Sequence, residues 1–201
     1  SPASVFHHDP RVSDALEARA RELLEEQNPD GKKYFSNLGS PPDTAFLVTP
    51  LAVGMTVLGR EASPALAGVS KLMKQFLVKA GGALAVGGVH TPNHRWVVSS
   101  ALARLNALYP DMNYLARIND WLGEGIFNDD DGHFLERSRN YSRVEDSTII
   151  TLARLLNKPA LLDPVRKNLR MTYYYMEPDG SLVVNDSRRQ DQYETVSILL
   201  Y

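Results

Sequence analysis

At Asp9-Pro10, Ser63-Pro64, Thr91-Pro92 and Asp163-Pro164 a side chain able to cap a helix stands directly before a proline at the head of an apolar helical pattern. A capping oxygen accepts from the free N–H groups of a first helical turn. Proline suits the first helical position because its missing N–H has no partner there anyway. Each pair therefore reads as a helix start. The apolar spacing that follows is helical, and it predicts helices near 10–27, 43–59, 64–80, 92–109, 112–122, 142–157 and 164–176. In the last but one, Ser142 and Glu145 have the spacing of a capping box, and Ile149, Leu152, Leu155 and Leu156 line one face. Strand signals are confined to "GHFLE" and "GSLVV", each long enough for one hairpin arm. Gly-rich "AGGALAVGG" (80–88) interrupts the helical pattern and reads as a buried loop or bend.

An internal repeat organises the second half. "DGHFLERSRNYSRVE" begins at Asp131 and "DGSLVVNDSRRQDQYE" at Asp179. Both read as a turn, a short extended stretch, Ser-Arg, polar residues and a capping box, the second box being Asp191 with Glu194. Two copies one helix pair apart predict helical hairpins stacked in series, an all-α (α/α) toroid or solenoid. The second copy reaches Tyr201 only a few residues into its helix, too short to stand alone. Residues 1–201 are therefore expected to form one incomplete toroid domain of a longer protein.

Composition excludes several function classes. The net charge is −2 and there is no Lys/Arg block, so nucleic acid is not an expected partner. No run of eighteen apolar residues is present, so no membrane insertion is expected. With no cysteine, thiolate nucleophiles and Cys-ligated zinc are excluded. "SPASVFHHDP" lacks the apolar core of a signal peptide.

The chemistry concentrates in "HTPNHRW" (90–96). An amide, an imidazole, a guanidinium and an indole follow one another at a helix start: Asn93, His94, Arg95 and Trp96. A helix N-terminus carries free N–H donors and roughly half a positive charge, so it favours anions. Asn93 adds a neutral donor, His94 a titratable one and Arg95 a planar fork that suits a carboxylate. The plainer reading makes His94 the partner of a carbonyl, Arg95 a solvated side chain and Trp96 core. His90 and His94 have zinc-ligand spacing, but the helix start lies between them and no third ligand is near in sequence. "FNDDDGH" (127–133) lacks the first acid of a calcium loop and reads as an Asp-Gly turn. In "SRNYSR" (138–143), Tyr141 precedes the Ser142 cap, flanked by Arg139 and Arg143. A tyrosine among cations can act as base and then acid, or simply pack as a hydrophobic staple. Trp96, Trp121, Tyr109, Tyr114 and Tyr173–Tyr175 are sugar platforms or core.

Helical hairpins, Asn-His at the head of one helix and "DGHFLERSRNYS" one hairpin later together resemble the heparinase II/III-like polysaccharide lyases and their alginate-lyase relatives. The resemblance runs over roughly residues 85 to 195. It implies an N-terminal α/α toroid followed by a β-sandwich that these residues do not include. It further implies that Asn93 and His94 neutralise a uronate carboxylate, and that Tyr141 takes the C5 proton and protonates the leaving O4. Arg95, Trp96, Arg139 and Arg143 are the expected substrate contacts. The implied partner is an acidic polysaccharide, in a secreted or periplasmic protein whose further catalytic or metal-binding residues belong to the sandwich; within residues 1–201 no cofactor and no metal site is expected. Such chemistry accounts for the residue types. Donors on the carboxylate stabilise the enolate-like transition state more than the ground state. Two alternatives remain open from the residues. One is a toroid glycoside hydrolase using two of Asp129, Asp131, Glu136 and Glu145. The other is a non-catalytic glycan-binding repeat.

Overall fold

The computed structural model describes residues 4–7, 9–33, 40–60 and 63–200. Among them are seven α-helices: α1 (Pro10–Glu25), α2 (Pro41–Leu58), α3 (Ala67–Val86), α4 (Pro92–Leu108), α5 (Met112–Gly123), α6 (Arg139–Leu155) and α7 (Leu162–Tyr174). Two-residue strands β1 (Ser181–Leu182) and β2 (Val196–Ser197) pair antiparallel. "GHFLE" forms turns rather than a hairpin arm. The fold is all-α, as the helical period predicts.

The helices lie in two layers. In one, α4 packs between α2 and α6; in the other, α3 packs between α1 and α5, and α7 rests on α6. Sequential helices α2–α3, α3–α4 and α4–α5 also pack on each other. Helices α4 and α6 run parallel: Asn93 and Glu136 meet at their heads, and Arg104 donates to Thr151 Oγ1 at 3.1 Å farther down. Ten of the seventeen α4 residues are buried, so α4 is the central helix. Its Trp96, Val98, Leu102 and Leu105 meet Phe76, Leu77 and Leu84 of α3, Tyr114 and Ile118 of α5, and Ile149 and Leu152 of α6 in one core. Each such large apolar side chain contributes about 1.5–3 kcal/mol through removal from water.

Several local expectations are corrected. The Gly-rich segment is helical, because α3 runs on through Ala80–Val86. Gly81 is there for space: a Cβ would stand 2.3 Å from the Tyr114 hydroxyl and 2.9 Å from Leu105. The glycine lets α5 approach α3, and packing outweighs the weak helix propensity of glycine. Of the four cap-proline pairs, Asp9 caps by its own side chain, accepting from Arg11 N–H at 2.9 Å. Ser63 and Thr91 make no such bond, and Asp163 lies inside α7. Ser40, Asp111 and Ser138 are further side-chain caps. The Ser142–Glu145 box does not form. Helix α6 starts one turn earlier, with Ser138 Oγ accepting from Tyr141 N–H at 3.0 Å, and Ser142 and Glu145 are buried inside it.

The second box is absent for a different reason. Asp191 leaves its own segment and caps α6, accepting from Ser138 Oγ at 2.6 Å, Ser187 Oγ at 2.5 Å and Asn140 N–H at 3.2 Å. A 3₁₀ turn, Gln190–Tyr193, stands where a helix was expected, and Tyr201 lies outside the described residues.

The two glycines next to each other in α3 give opposite expectations. Gly81→Ala should destabilise the protein by roughly 1–3 kcal/mol, the scale of core overpacking. A Cβ on Gly82 meets nothing within 4 Å, so Gly82→Ala should stabilise by about 0.5–1 kcal/mol through helix propensity. Denaturant unfolding of both variants measures this, and equal signs would refute the packing account.

Candidate functional site

The heads of α4 and α6 converge through one carboxylate. Asn93 is the second residue of α4, and its N–H would lack an intrahelical partner. Glu136 Oε1 accepts from that N–H at 3.2 Å and from Asn93 Nδ2 at 2.7 Å. Glu136 is 6% exposed. The chain thus supplies its own anion at the helix start where the sequence suggested a substrate carboxylate, and Asn93 is fully buried by it.

Arg189 completes the cluster. Its Nη1 lies 3.3 Å from Glu136 Oε2, and its guanidinium covers the Tyr141 ring at 4.3 Å. It is also close enough to His94 to disfavour the charged imidazole. Asn93 of α4 and Tyr141 of α6 are therefore joined through Glu136 and Arg189, and His94, next to Asn93, feels the Arg189 charge. Neither Glu136 nor Arg189 stood out in the sequence as part of this cluster. The repeat was the available signal, since Arg189 follows the second Ser-Arg just as Asn140 follows the first.

Tyr141 is half-buried in the first turn of α6, not ahead of a cap at Ser142. Its hydroxyl accepts from Gln190 Nε2 at 3.0 Å. His94 is half-buried, its ring edge-on to His90 at 4.7 Å and to Phe46 at 6.3 Å. Burial, then the charge of His90, hold its pKa down to about 4, so it is a neutral imidazole at pH 7. No group of three metal-ligand side chains occurs among the described residues, so His90 and His94 stand together without a third.

The expected substrate contacts divide. Arg95 pairs with Glu124 at 2.5 Å. Trp96 is 1% exposed and belongs to the core, so it has no free face for a sugar. Arg139 is fully buried: it grips both oxygens of Asp186 at 2.8 and 3.0 Å and lies over the Tyr175 ring at 3.9 Å, with its Nη1 3.3 Å from His133. It is a structural anchor, enclosed because Asp186 arrives from the second repeat. Arg143 lines a cavity of about 400 Å³ between α2, α4, α6 and α7 and donates to Asn140 Oδ1 at 3.4 Å. Of the aromatic residues considered as platforms, Trp121 and Tyr114 are also buried, whereas Tyr173 and Tyr174 are exposed.

Two further buried acids lie on α6. Burial, then the charges of Glu136 and Asp146, push the Glu145 carboxyl well above its usual range. Burial raises Asp146 to about 8. Asp146 is therefore mainly a neutral carboxylic acid at pH 7, and Glu145 is shifted in the same direction. Asp129 is occupied in the Asp-Gly turn, accepting from the N–H groups of Gly132 and His133 and pairing with Arg137 at 2.8 Å. Gly132 holds φ at +106°, which that turn requires.

No family model, curated protein or solved structure matches this chain. Among the described residues, no helix is long and apolar enough to cross a membrane.

The low pKa of His94 has a stability consequence. Folded, it titrates near 4; unfolded, near its ordinary value of about 6.5. Between these values the unfolded chain binds the extra proton, so stability is lost as pH falls through that window. His94→Gln removes this loss. Its stability relative to wild type should be lowest near pH 7 and should recover on acidification towards pH 4. Denaturant midpoints across that range test it, and a constant offset between the two proteins would refute it.

Proposed function

We propose that this chain is the helical part of a lyase that cleaves a uronic-acid-containing polysaccharide by β-elimination, within an incomplete (α/α) toroid. The observation that carries the reading is the contact of Arg189 with both the Tyr141 ring and Glu136, which in turn holds Asn93. Asn93 and Tyr141, 48 positions apart, thereby reach one cluster at the heads of two parallel helices. The two-layer packing of hairpins supports the toroid.

In this reading Tyr141 is the acid–base residue. Its hydroxyl accepts from Gln190, so its own proton is not directed at that partner. As the phenolate it would take the C5 proton, and as the resulting phenol pass that proton to the leaving O4 on the same face, while the C5–H electron pair forms the C4–C5 double bond and the C4–O bond breaks, a syn elimination. The neutral His94, at the head of α4, is a hydrogen-bond donor or acceptor and not a second cation. Asn93 acts indirectly, by fixing Glu136 and hence Arg189. The glycoside-hydrolase alternative is weakened at two of its four candidates. Glu136 is engaged with Asn93 and Arg189, and Asp129 is tied into its turn.

Tyr141→Phe keeps the ring beneath Arg189 and removes the proton carrier. It should lower kcat by roughly 10²-fold or more with little change in KM, the scale of a lost general acid–base group. Initial rates of unsaturated-product absorbance on alginate, heparan and hyaluronan, with melts to confirm folding, measure this. Normal turnover in folded Tyr141→Phe protein would remove Tyr141 from the mechanism.

A further inference from the structure

A β-eliminating site needs a cation or strong donor set at the substrate carboxylate, because proton loss places more negative charge there. The resemblance to the lyases assigns that task to Asn93 and His94, and the structure leaves neither well suited to it. Asn93 is fully buried, with its N–H and amide both on Glu136. His94 is uncharged at neutral pH. Among the arginines near the cluster, Arg95 is paired with Glu124 and Arg139 is enclosed with Asp186.

We propose that Arg189 receives the carboxylate of an acidic sugar, with Glu136 as its counter-ion in the free protein. This rests on the lyase reading for the nature of the ligand, though not for the placement of the charge. Arg189 is the guanidinium that touches both halves of the cluster, 3.3 Å from Glu136 and 4.3 Å from the centre of the Tyr141 ring. Its side chain is 23% exposed, whereas Glu136 is 6% exposed. One edge is therefore committed inward and the other is open. Its five N–H donors exceed its contacts. Nη1 faces Glu136 and Nε donates to Gln190 Oε1 at 3.3 Å, while no acceptor for Nη2 is found among the described residues.

Arg189 is held both at its backbone and at its guanidinium. Arg189 N–H donates to Ser187 Oγ at 3.1 Å, and Ser187 is tied to Asp191. Beneath it, the Tyr141 ring forms a cation–π floor. A carboxylate on the open edge would lie beside the Tyr141 hydroxyl, where a C5 proton must be for Tyr141 to take it. Glu136 prevents the cation from being left uncompensated when no ligand is present, and Asn93 holds Glu136 so that the ion pair does not wander. Arg189 thus serves as a catalytic residue, and Glu136 and Asn93 as positioning residues.

The test uses the whole chain and tetrasaccharides prepared from alginate, hyaluronan and heparan, each as the free acid and as its methyl ester. Binding is measured by calorimetry for wild type, Arg189→Met and Arg189→Lys. Methionine keeps an apolar stem over Tyr141 and removes the charge. It should weaken binding of at least one acid about tenfold or more, the scale of a lost charged hydrogen bond, and leave its ester unchanged. Lysine keeps the charge without the fork and should fall between. If Arg189→Met does not fold, Arg189→Lys decides, with weaker acid binding and unchanged ester binding expected. Acid binding equal to wild type, equal losses for acid and ester, or no acid binding by wild type would each overturn the proposal. The lyase reading is judged separately, by unsaturated product from the wild-type chain. A binder that discriminates acid from ester through Arg189 but makes no product retains Arg189 as the carboxylate receptor and ends the lyase reading.

Discussion

The Glu136 carboxylate is the junction on which the second half of the structure depends. A buried carboxylate without partners would be costly, and a helix N-terminus without acceptors would be costly too. Glu136 offsets both costs at once. It takes the Asn93 N–H and amide at the head of α4, and it faces Arg189 from the second repeat. Three segments far apart in sequence are thereby fixed to one point. The same contact determines what the site contains, because it uses up Asn93 and brings a guanidinium to Tyr141.

Around this junction the two repeat copies interlock rather than acting alone. Ser138 and Ser187 hold equivalent places in the two copies, and both donate to Asp191. Tyr141 and Gln190, also equivalent, bond to each other. Arg139 of the first copy holds Asp186 of the second, and Arg188 N–H donates to the Glu136 carbonyl at 3.2 Å. A stacked helical repeat meets its neighbour along a matching surface. Here the matching surface is polar, and the second copy caps the helix that follows the first.

Electrostatics at the cluster separates into groups that keep their charge and groups that lose it. Arg189 and Arg139 each face a carboxylate. Glu145 and Asp146, a turn or more into α6 and shielded from water, are instead shifted towards the neutral acid. His94 loses its charge by the same desolvation. The site is therefore not a cationic patch, and its positive charge is localised on the residue that reaches across from the second repeat.

Much of the fold was legible locally. The spacing of apolar residues gave the helices α1 to α7 to within a few residues at most ends, because a 3.6-residue period is a property of the segment itself. Asp-Gly at 131–132 and 179–180 marked turns, since glycine reaches positive φ without a Cβ clash, and both glycines do so. Asn93, His94 and Tyr141 were visible as chemistry-bearing residues at helix starts. The tertiary structure decided what their neighbours were. Ser138 rather than Ser142 caps α6, because Asp191 arrives to bind it. Gly81 sits within a helix rather than a loop, because Tyr114 needs the space. Arg139 and Trp96 are interior, because Asp186 and the helix layers close over them. Arg189 enters the site because a carboxylate 53 residues earlier holds it there. A sequence carries its periods locally, but the partner of a buried charge is set by which segments meet in space.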